Sequence, residues 1–184
     1  MKQKKTLEQR FLKKTVVEML KELNACADAV TWAAAYGTDA QRAWDECQRG
    51  DHMLWYAGKL AGEPGSDARR SLVLAACECV RLVLPRVKAG ETRPLLAIEA
   101  AERWARGGDG APTLQEVMRA VASPYVAAAH VSYAAADAVA HVSYFAVASP
   151  YVAAAHVSYV AGARAKTLAI CADIVRKHYP KVPT

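Results

Sequence analysis

The segment between residues 121 and 163 limits the possible folds of this chain more than any other part. It contains sixteen alanines and a single charged residue, Asp137. Alanine has the highest intrinsic helix propensity, whereas strands are enriched in β-branched and aromatic residues. Because the segment is almost uncharged, it predicts alanine-rich helices that neighbouring helices or a second subunit cover on most sides. A homodimer formed through residues 121–163 is one such arrangement.

The same segment contains an internal duplication. Residues 121–133 and 147–159 both read VASPYVAAAHVSY, and the tetrapeptide HVSY occurs again at 141–144. Each long copy has a Ser-Pro pair, with its proline at Pro124 or Pro150. Such a pair is typical of an N-cap residue followed by proline in the first helical turn. We interpret the duplication as a repeated helix start, in which each proline either kinks a long helix or begins a new one.

Neither a membrane span nor a metal site is expected in this segment. The charge-free run from 138 to 163 is long enough, at about 1.5 Å per residue, to cross a bilayer. Its histidines, its proline and the weak hydrophobicity of alanine argue against insertion. His130 and His141 would lie about 16 Å apart along one helix, which is too far for both to bind one ion.

The rest of the chain carries helical spacing and helix-end signals, and no strand alternation. The prediction is an all-α fold, a compact bundle of about seven to nine helices with the alanine-rich helices at its centre, in one domain over residues 1–184. A capping box is expected at Thr113–Glu116. The predicted helices outside the alanine-rich segment are Thr6 to about Leu23, a second capped by Asn24 and ending at Gly37, a third from Thr38 or Asp39 to Gly50, a fourth capped by Asp51 and closed by Gly62, a fifth from Ser66 or Asp67 to Leu84, a sixth from Thr92 to Gly107, and a last from Arg164 to Lys177.

The net charge of +6 is distributed unevenly along the chain. Residues 1–24 and residues 161–184 each carry +4, and the stretch between them carries −2. Basic ends bind nucleic acid through phosphate contacts in some proteins and are solvated surfaces in others. Nucleic-acid binding is therefore an alternative function for this chain. Its candidate residues are Lys4, Lys5, Lys13, Lys14 and Arg176.

The chemistry-bearing residues do not form a catalytic signature. The five cysteines accompany no apolar export segment, so we expect reduced thiols in a cytoplasmic protein. Cys77 and Cys79 would project about 200° apart on a helix and cannot bind one ion together. No Ser/His/Asp order, glycine-rich phosphate loop or HExxH sequence occurs. We expect no enzyme activity, no cofactor and no metal, while a small-ligand pocket lined by tyrosines and histidines remains a third possible function.

The stretch AWDECQRGDHMLWY, residues 43–56, is the densest in candidate functional residues. It places two tryptophans around a helix–glycine–helix junction that also holds Arg49 and Asp51. In the structural interpretation, Asp51 caps the second helix, Arg49 pairs with a nearby acid and the tryptophans fill the core. In the functional interpretation, the junction presents Arg49 and Trp44 to a partner, because arginine and tryptophan are typical interface residues.

Four charged residues follow one another on the predicted sixth helix. Glu99 and Glu102 lie one turn apart, and Arg103 and Arg106 come one turn later. Acidic and basic residues at this spacing form ion pairs along a helix surface, each of small energetic value. We therefore expect a solvent-exposed ladder of ion pairs there.

Five segments together resemble one protein family. The segments are WAAAY at 32–36, AWDECQRGDHMLW at 43–55, LVLAACECVRLVLP at 72–85, RPLLAIEAAERWARG at 93–107 and CADIVRKHYP at 171–180. Their order and spacing are similar to an immunity-protein family, an alanine-rich helical group of bacterial toxin–immunity loci and phage genomes. The family's characteristic residues fall on Trp44, Cys47, Arg49, Asp51, Trp55, Cys79, Arg81, Arg93, Pro94, Glu99, Trp104, Asp173 and Arg176. His52 and the duplication depart from the family pattern, which more usually has tryptophan in place of His52.

The resemblance implies a protein that binds and silences another protein without chemistry of its own. The blocked partner would be a toxin or a host factor. The residues expected to contact it are Trp44, Arg49, Asp51, Trp55, Arg93, Glu99 and Arg176. One property disagrees with the simplest case, because an inhibitor of a basic nuclease is expected to be acidic and this chain is basic.

Overall fold

The structure is a computed structural model that describes residues 14–63, 65–82, 84–86, 90, 92–113, 115–117 and 164–184. Within these residues every regular element is a helix, which confirms the all-α fold. The alanine-rich segment with its duplication, and the predicted homodimer contact through it, lie outside the described residues. None of the described helices is both long and apolar enough to cross a membrane.

The described α-helices are numbered in chain order. They are α1 Val16–Glu22, α2 Ala27–Ala33, α3 Ala40–Glu46, α4 Gly50–Leu60, α5 Asp67–Arg81, α6 Arg93–Arg106 and α7 Arg164–His178. Short 3-10 helices occupy Ala34–Tyr36 and Leu84–Arg86. These elements fall into two compact units. The first unit comprises residues 14–47 and 179–184, and the second comprises the described residues between 48 and 178. A single domain over residues 1–184 stays a prediction.

Several helix ends lie where the sequence predicted them. The carboxylate of Asp39 accepts a hydrogen bond of 3.0 Å from the Arg42 backbone N–H at the start of α3. Ser66 caps α5 in the same way, since its hydroxyl accepts from the Arg69 backbone N–H at 3.1 Å. The helix α6 ends at Gly107, whose positive φ of 68° is one that other residues rarely adopt. Two of these ends follow from a local side-chain hydrogen bond, and the third follows from the backbone freedom of glycine.

The capping box predicted at Thr113–Glu116, after the end of α6, is also present. The Thr113 hydroxyl accepts from the Glu116 backbone N–H at 3.2 Å, and the Glu116 carboxylate accepts from the Thr113 backbone N–H at 2.7 Å. These reciprocal bonds satisfy two donors that a helix start would otherwise leave unpaired.

The first predicted helix is wrong at Thr15, where the chain has an extended conformation. Thr15 and Glu18 form a capping box that starts α1 at Val16, so no continuous helix runs from Thr6 to Leu23. The sequence signal was present as Thr-x-x-Glu, but the apolar spacing on both sides of it hid the boundary.

Asn24 does not cap the second helix. It has a positive φ of 61° and directly follows α1, where its backbone N–H donates to the Lys21 carbonyl at 3.0 Å. Asparagine tolerates this left-handed conformation better than most residues, so here it ends one helix instead of starting the next. The N-cap position of α2 belongs to Cys26, which makes no side-chain capping bond.

Two further helices are shorter than predicted at their ends. The helix α3 ends at Glu46 instead of Gly50, because the chain is already extended at Cys47. The helix α5 ends at Arg81 instead of Leu84, and the residues around Pro85 form the second 3-10 helix. A proline limits how far a helix can extend, but the helix can end several residues earlier.

In the second unit, α5 packs against α4, α6 and α7, and α4 also packs against α7. The buried residues of α5 therefore form a face that is wider than one narrow stripe. Small residues of α5, including Ala75 and Ala76, are fully buried and allow the neighbouring helices to approach closely. The largest fully buried side chains of this unit are Met53, Leu54, Leu72, Val73, Val80, Ile98 and Val117.

The first unit is built from α1, α2, α3 and the first 3-10 helix, joined by the C-terminal residues. Trp44 of α3 is buried, and its indole N–H donates to the Tyr179 carbonyl at 2.8 Å. The side chain of Gln41 donates to the Pro180 carbonyl and accepts from the Val182 backbone N–H. These bonds attach residues 179–184 to α3.

Candidate partner-binding site

Arg49 and Asp51 form an ion pair at the start of α4. The Arg49 guanidinium donates to both carboxylate oxygens of Asp51, with distances of 2.8 Å from Nε and 2.7 Å from Nη2. Asp51 is only 1% exposed, whereas the Arg49 side chain is 34% exposed. The predicted capping role of Asp51 is therefore wrong, since Arg49 occupies the N-cap position and Asp51 lies within the first turn.

The surroundings of Asp51 keep its carboxylate ionised. Burial alone would raise the pKa of this carboxyl, but the hydrogen bonds from Arg49, with the positive charges and backbone N–H nearby, hold the pKa below its ordinary value. A negative charge in the first turn also interacts favourably with the helix dipole. The ion pair thus neutralises a buried charge. The structural interpretation of residues 43–56 predicted this role for Arg49.

The two tryptophans of that segment belong to different units. Trp44 lies in the first unit, where it is buried and hydrogen-bonded to Tyr179. Trp55 lies on α4 in the second unit and is half-buried, with the Lys59 ammonium 5.6 Å from its ring centroid. A cation at this distance above an aromatic face is attracted to it. Both tryptophans therefore have packing or electrostatic roles within their own unit.

The remaining predicted contact residues lie on α6 and α7. Glu99 is exposed on α6, and Arg93 is the first residue of that helix, with a side chain outside the described part. The Arg176 guanidinium donates to the Asp173 carboxylate at 2.6 Å and contacts the Met53 sulfur at 3.8 Å. The Arg176 side chain is only 20% exposed, so it serves the contact between α7 and α4. Partner binding by these residues stays a prediction.

The second unit contains a groove that the sequence did not predict. We call it the charged groove. Its volume is about 450 Å³ and it lies among helices α5, α6 and α7. The residues that line it are Leu74, Glu78, Arg81, Glu102, Arg106 and His178.

Glu102 lies at the centre of the first ion-pair cluster in the charged groove. Arg81 of α5 binds both of its carboxylate oxygens, at 2.7 Å and 3.0 Å, and Arg106 adds a third hydrogen bond at 3.2 Å. The predicted ladder on α6 is right about the ion pair between Glu102 and Arg106 but wrong about its exposure, because Glu102 is only 8% exposed. The sequence could not reveal the burial of Glu102, because its main partner, Arg81, is 21 residues away on another helix.

Glu78 is the centre of the second cluster. The Lys177 ammonium donates to both of its oxygens, at 2.9 Å and 3.2 Å, and the His178 ring nitrogen Nε2 lies 3.0 Å from one of them. The Lys177 hydrogen bonds, followed by those of His178, hold the pKa of Glu78 below its ordinary value. The lining of the groove is formally neutral, because Arg81 and Arg106 balance Glu78 and Glu102, and Lys177 lies beside it.

The Glu102 cluster makes the stability of the chain sensitive to acid. Hydrogen bonds from Arg81, with the charges of both arginines, hold the pKa of Glu102 below the ordinary 4.5. The stabilisation that ionised Glu102 contributes is therefore complete above the pKa of Glu102 in the unfolded chain. It is lost as the pH falls through the pKa of Glu102 in the folded chain. Between pH 7 and about pH 3, we expect the wild type to lose about 1 kcal/mol more unfolding free energy than Glu102→Gln.

Urea unfolding of both proteins at the two pH values measures this difference. The other described carboxylates with lowered pKa values, Glu18, Glu46, Asp51 and Glu78, are present in both proteins and provide a common background. Equal acid sensitivity of the wild type and the variant would contradict the assignment of the stabilisation to Glu102.

The buried cysteines of α5 are poor nucleophiles. Burial raises the pKa of Cys77 to about 12. The pKa of Cys79 is also raised, first by a side-chain hydrogen bond with Cys171 and then by burial. Both thiols therefore stay protonated near neutral pH. The described residues also contain no group of three or more side chains arranged to bind a metal ion.

The residues of the two alternative functions are only partly described. Lys4, Lys5 and Lys13 lie outside the described residues, and Lys14 pairs with Glu22. For a small-ligand pocket, the histidines and tyrosines of the alanine-rich segment lie outside the described residues.

Comparison of the chain with protein-family models, with curated proteins and with solved structures gives no match. The resemblance to the immunity-protein family stays a prediction from the sequence.

Proposed function

We propose that this chain is a non-enzymatic binding protein of the immunity type, which binds and neutralises a toxin or another protein in the cytoplasm. The resemblance of the five segments to an immunity-protein family is the first support. It implies a helical surface that blocks a partner by contact. In interfaces of this kind, a few aromatic and arginine residues contribute most of the binding free energy.

The charged groove is the observation that carries the proposal. Its arginines are held by a carboxylate before any partner arrives, since Arg81 and Arg106 both bind Glu102. A side chain that is already fixed loses less conformational entropy on binding than a free one. The Arg106 side chain is nevertheless 61% exposed, so a partner can reach it.

The chemistry of α5 supports binding in preference to catalysis. Cys77 and Cys79 lie close together in the sequence, as a pair of reactive cysteines would. Both thiols, however, are buried and protonated. A protonated, inaccessible thiol cannot attack a substrate. Their position in the core is typical of structural cysteines.

The experiment is co-expression of the full chain with the protein encoded beside it in its own genome. We expect that the neighbouring protein alone stops the growth of a bacterial host, and that co-expression restores growth. The two purified proteins should also elute as one complex in size-exclusion chromatography. A neighbouring protein that is harmless, or one that stays toxic in the presence of this chain, would contradict the proposal.

A salt titration separates this function from nucleic-acid binding. The full chain is mixed with labelled double-stranded DNA at about 50 mM salt, and the salt concentration is then raised. An affinity that falls steeply with salt is the signature of phosphate contacts. Tight, salt-dependent DNA binding together with no growth rescue would favour the nucleic-acid function over the proposed one.

A further inference from the structure

We infer that an exposed aromatic surface of the first unit binds a basic side chain, Arg or Lys, of the partner protein. We call it the Trp32 surface, and it consists of Asp28, Trp32, Tyr36, Arg42 and Glu46. This inference rests on the proposed function and names the chemistry of the partner. The Trp32 surface shares no residue with the charged groove, which belongs to the second unit.

The position of Trp32 on α2 is the first step of the argument. Trp32 is 38% exposed, although tryptophan is one of the side chains that gain most from burial. Its ring packs against the ring of Tyr36, with centroids 4.7 Å apart and planes inclined by 43°. The Tyr36 hydroxyl in turn donates to the Glu46 carboxylate at 3.1 Å. Trp32 is thus an exposed ring that packs against a ring attached to α3.

The aromatic face of Trp32 is the second step. Other rings of the chain have a cation of the chain over them: the Arg42 guanidinium lies 5.7 Å from the Tyr36 centroid, and that of Arg70 lies 5.3 Å from the Trp104 centroid. No cation of the described residues lies over Trp32. Tryptophan attracts a cation more strongly than tyrosine or phenylalanine does. The Trp32 ring can therefore receive the guanidinium or ammonium group of another molecule.

The carboxylate of Asp28 is the third step. Asp28 lies one turn before Trp32 on α2, a spacing that places the two residues on the same face of the helix. It is exposed, and no described residue forms a hydrogen bond or an ion pair with its carboxylate. Arg42 is already balanced by Glu46, which it binds at 2.8 Å. The Trp32 surface therefore has a net charge of −1, and the uncompensated charge lies one turn from the exposed ring.

The charge of the surrounding helices favours the same kind of partner. Residues 27–46, from the start of α2 to the end of α3, contain four acidic residues and one basic residue, a net charge of −3, although the whole chain carries +6. Such a region attracts a basic protein segment as it approaches. It would repel nucleic acid, which presents a phosphate at every nucleotide. The aromatic ring and the adjacent carboxylate thus match a basic side chain in both shape and charge.

The test measures binding of the full chain to a short arginine peptide with blocked ends, at about 50 mM salt. A glutamate peptide of the same length is the control ligand. The double variant Asp28→Asn/Trp32→Leu removes the charge and the aromatic face. Its matched control is Asp45→Asn, which removes the same charge from an exposed residue of α3 that contacts Gln41 and lies outside the Trp32 surface. We expect the wild type to prefer the arginine peptide, the double variant to bind it about tenfold more weakly, and Asp45→Asn to change binding less than about twofold.

Several results would overturn the inference. They are equal binding of the two peptides, equal losses in the double variant and Asp45→Asn, full competition by free arginine at the peptide concentration, or tighter Trp32-dependent binding of single-stranded DNA. The double variant should melt close to the wild type, because both residues are exposed. If it melts lower, Asp28→Asn is measured alone, and it should weaken binding about threefold while Asp45→Asn leaves it unchanged. Equal effects of those two single variants would also contradict the inference.

The growth assay distinguishes failure of this inference from failure of the proposed function. If the double variant loses peptide binding but still protects the host, the partner does not use the Trp32 surface, and the inference is wrong while the proposed function stands. If the wild type binds the peptide through Trp32 but gives no protection, the surface binds basic segments and the immunity function is wrong. Loss of both peptide binding and protection in the double variant supports both.

Discussion

Replacing Gly50 with alanine is expected to separate α4 from α7 and to lower the stability of the chain by about 3 kcal/mol. A Cβ atom at this position would lie 2.5 Å from the Cys171 Cβ and 2.6 Å from the Ala172 backbone nitrogen. Both obstacles belong to the helix α7 itself, so no side-chain rotation can relieve the clash. The helices must move apart, and the buried surface between them would be exposed to water.

Thermal unfolding followed by circular dichroism measures the effect. For a chain of this length, we expect the melting temperature of Gly50→Ala to fall by about 6–12 °C. The matched control is Gly58→Ala on the same helix, whose added Cβ would lie 3.6 Å from a Leu72 methyl group, an ordinary contact. Alanine is also a better helix former than glycine, so this control should melt at or slightly above the wild-type temperature.

The comparison of the two glycines tests the packing of α4 against α7. A melting temperature of Gly50→Ala within about 2 °C of the wild type would contradict the close approach at Cys171. A similar fall in both variants would assign the effect to the helix α4 alone. Most of the expected difference between the variants comes from what each Cβ would meet, and helix propensity at Gly58 adds a smaller part.

The helix boundaries show which parts of the fold were predictable from sequence. Ends determined by one side chain and a nearby backbone N–H were located correctly, as at Ser66 and Thr113. Ends at which two local signals compete were not. Thr15 lies inside an apolar spacing that continues on both sides of it, and Asn24 can either cap a helix or end one.

The candidate site was less predictable because its contacts join distant residues. Glu102 was expected to pair within α6, but its main partner is Arg81 on α5. The role of Gly50 was also missed, since glycine at a helix boundary usually indicates a turn and here it allows contact with α7. A single sequence contains local spacing but not the packing of one helix on another, so the charged groove could only be found in the structure.

The burial of Asp51 changes what a mutation of Arg49 is expected to reveal. From sequence alone, a loss of partner binding without a change in melting temperature would indicate a contact residue. In the structure, removing Arg49 leaves a carboxylate that is 1% exposed without its bidentate partner. Removing one member of a buried ion pair is strongly destabilising because the remaining charge is uncompensated. Any loss of partner binding in this variant must therefore be separated from a loss of folding.

We expect Arg49→Ala to lower the unfolding free energy by about 3 kcal/mol at neutral pH. The double variant Arg49→Ala/Asp51→Asn should recover at least half of that loss, because it removes the buried charge as well as its partner. Arg42→Ala is the matched control, since Arg42 also pairs with an acid but its side chain is 62% exposed. Its melting temperature should stay close to that of the wild type.

The pH dependence supplies a second readout of the same pair. In the wild type, the pKa of Asp51 lies below its ordinary value of 3.8, so the stabilisation by Arg49 is complete above that value and is lost as the pH falls through the folded-state pKa. Without Arg49, burial raises the pKa of this carboxyl, and the variant gains stability relative to the wild type as the pH falls towards about 4. The gap in melting temperature between the two proteins should therefore narrow in acid. A gap that is absent at neutral pH would show that Asp51 does not need Arg49. A gap that does not depend on pH would contradict the assignment of the stabilisation to the charge of Asp51.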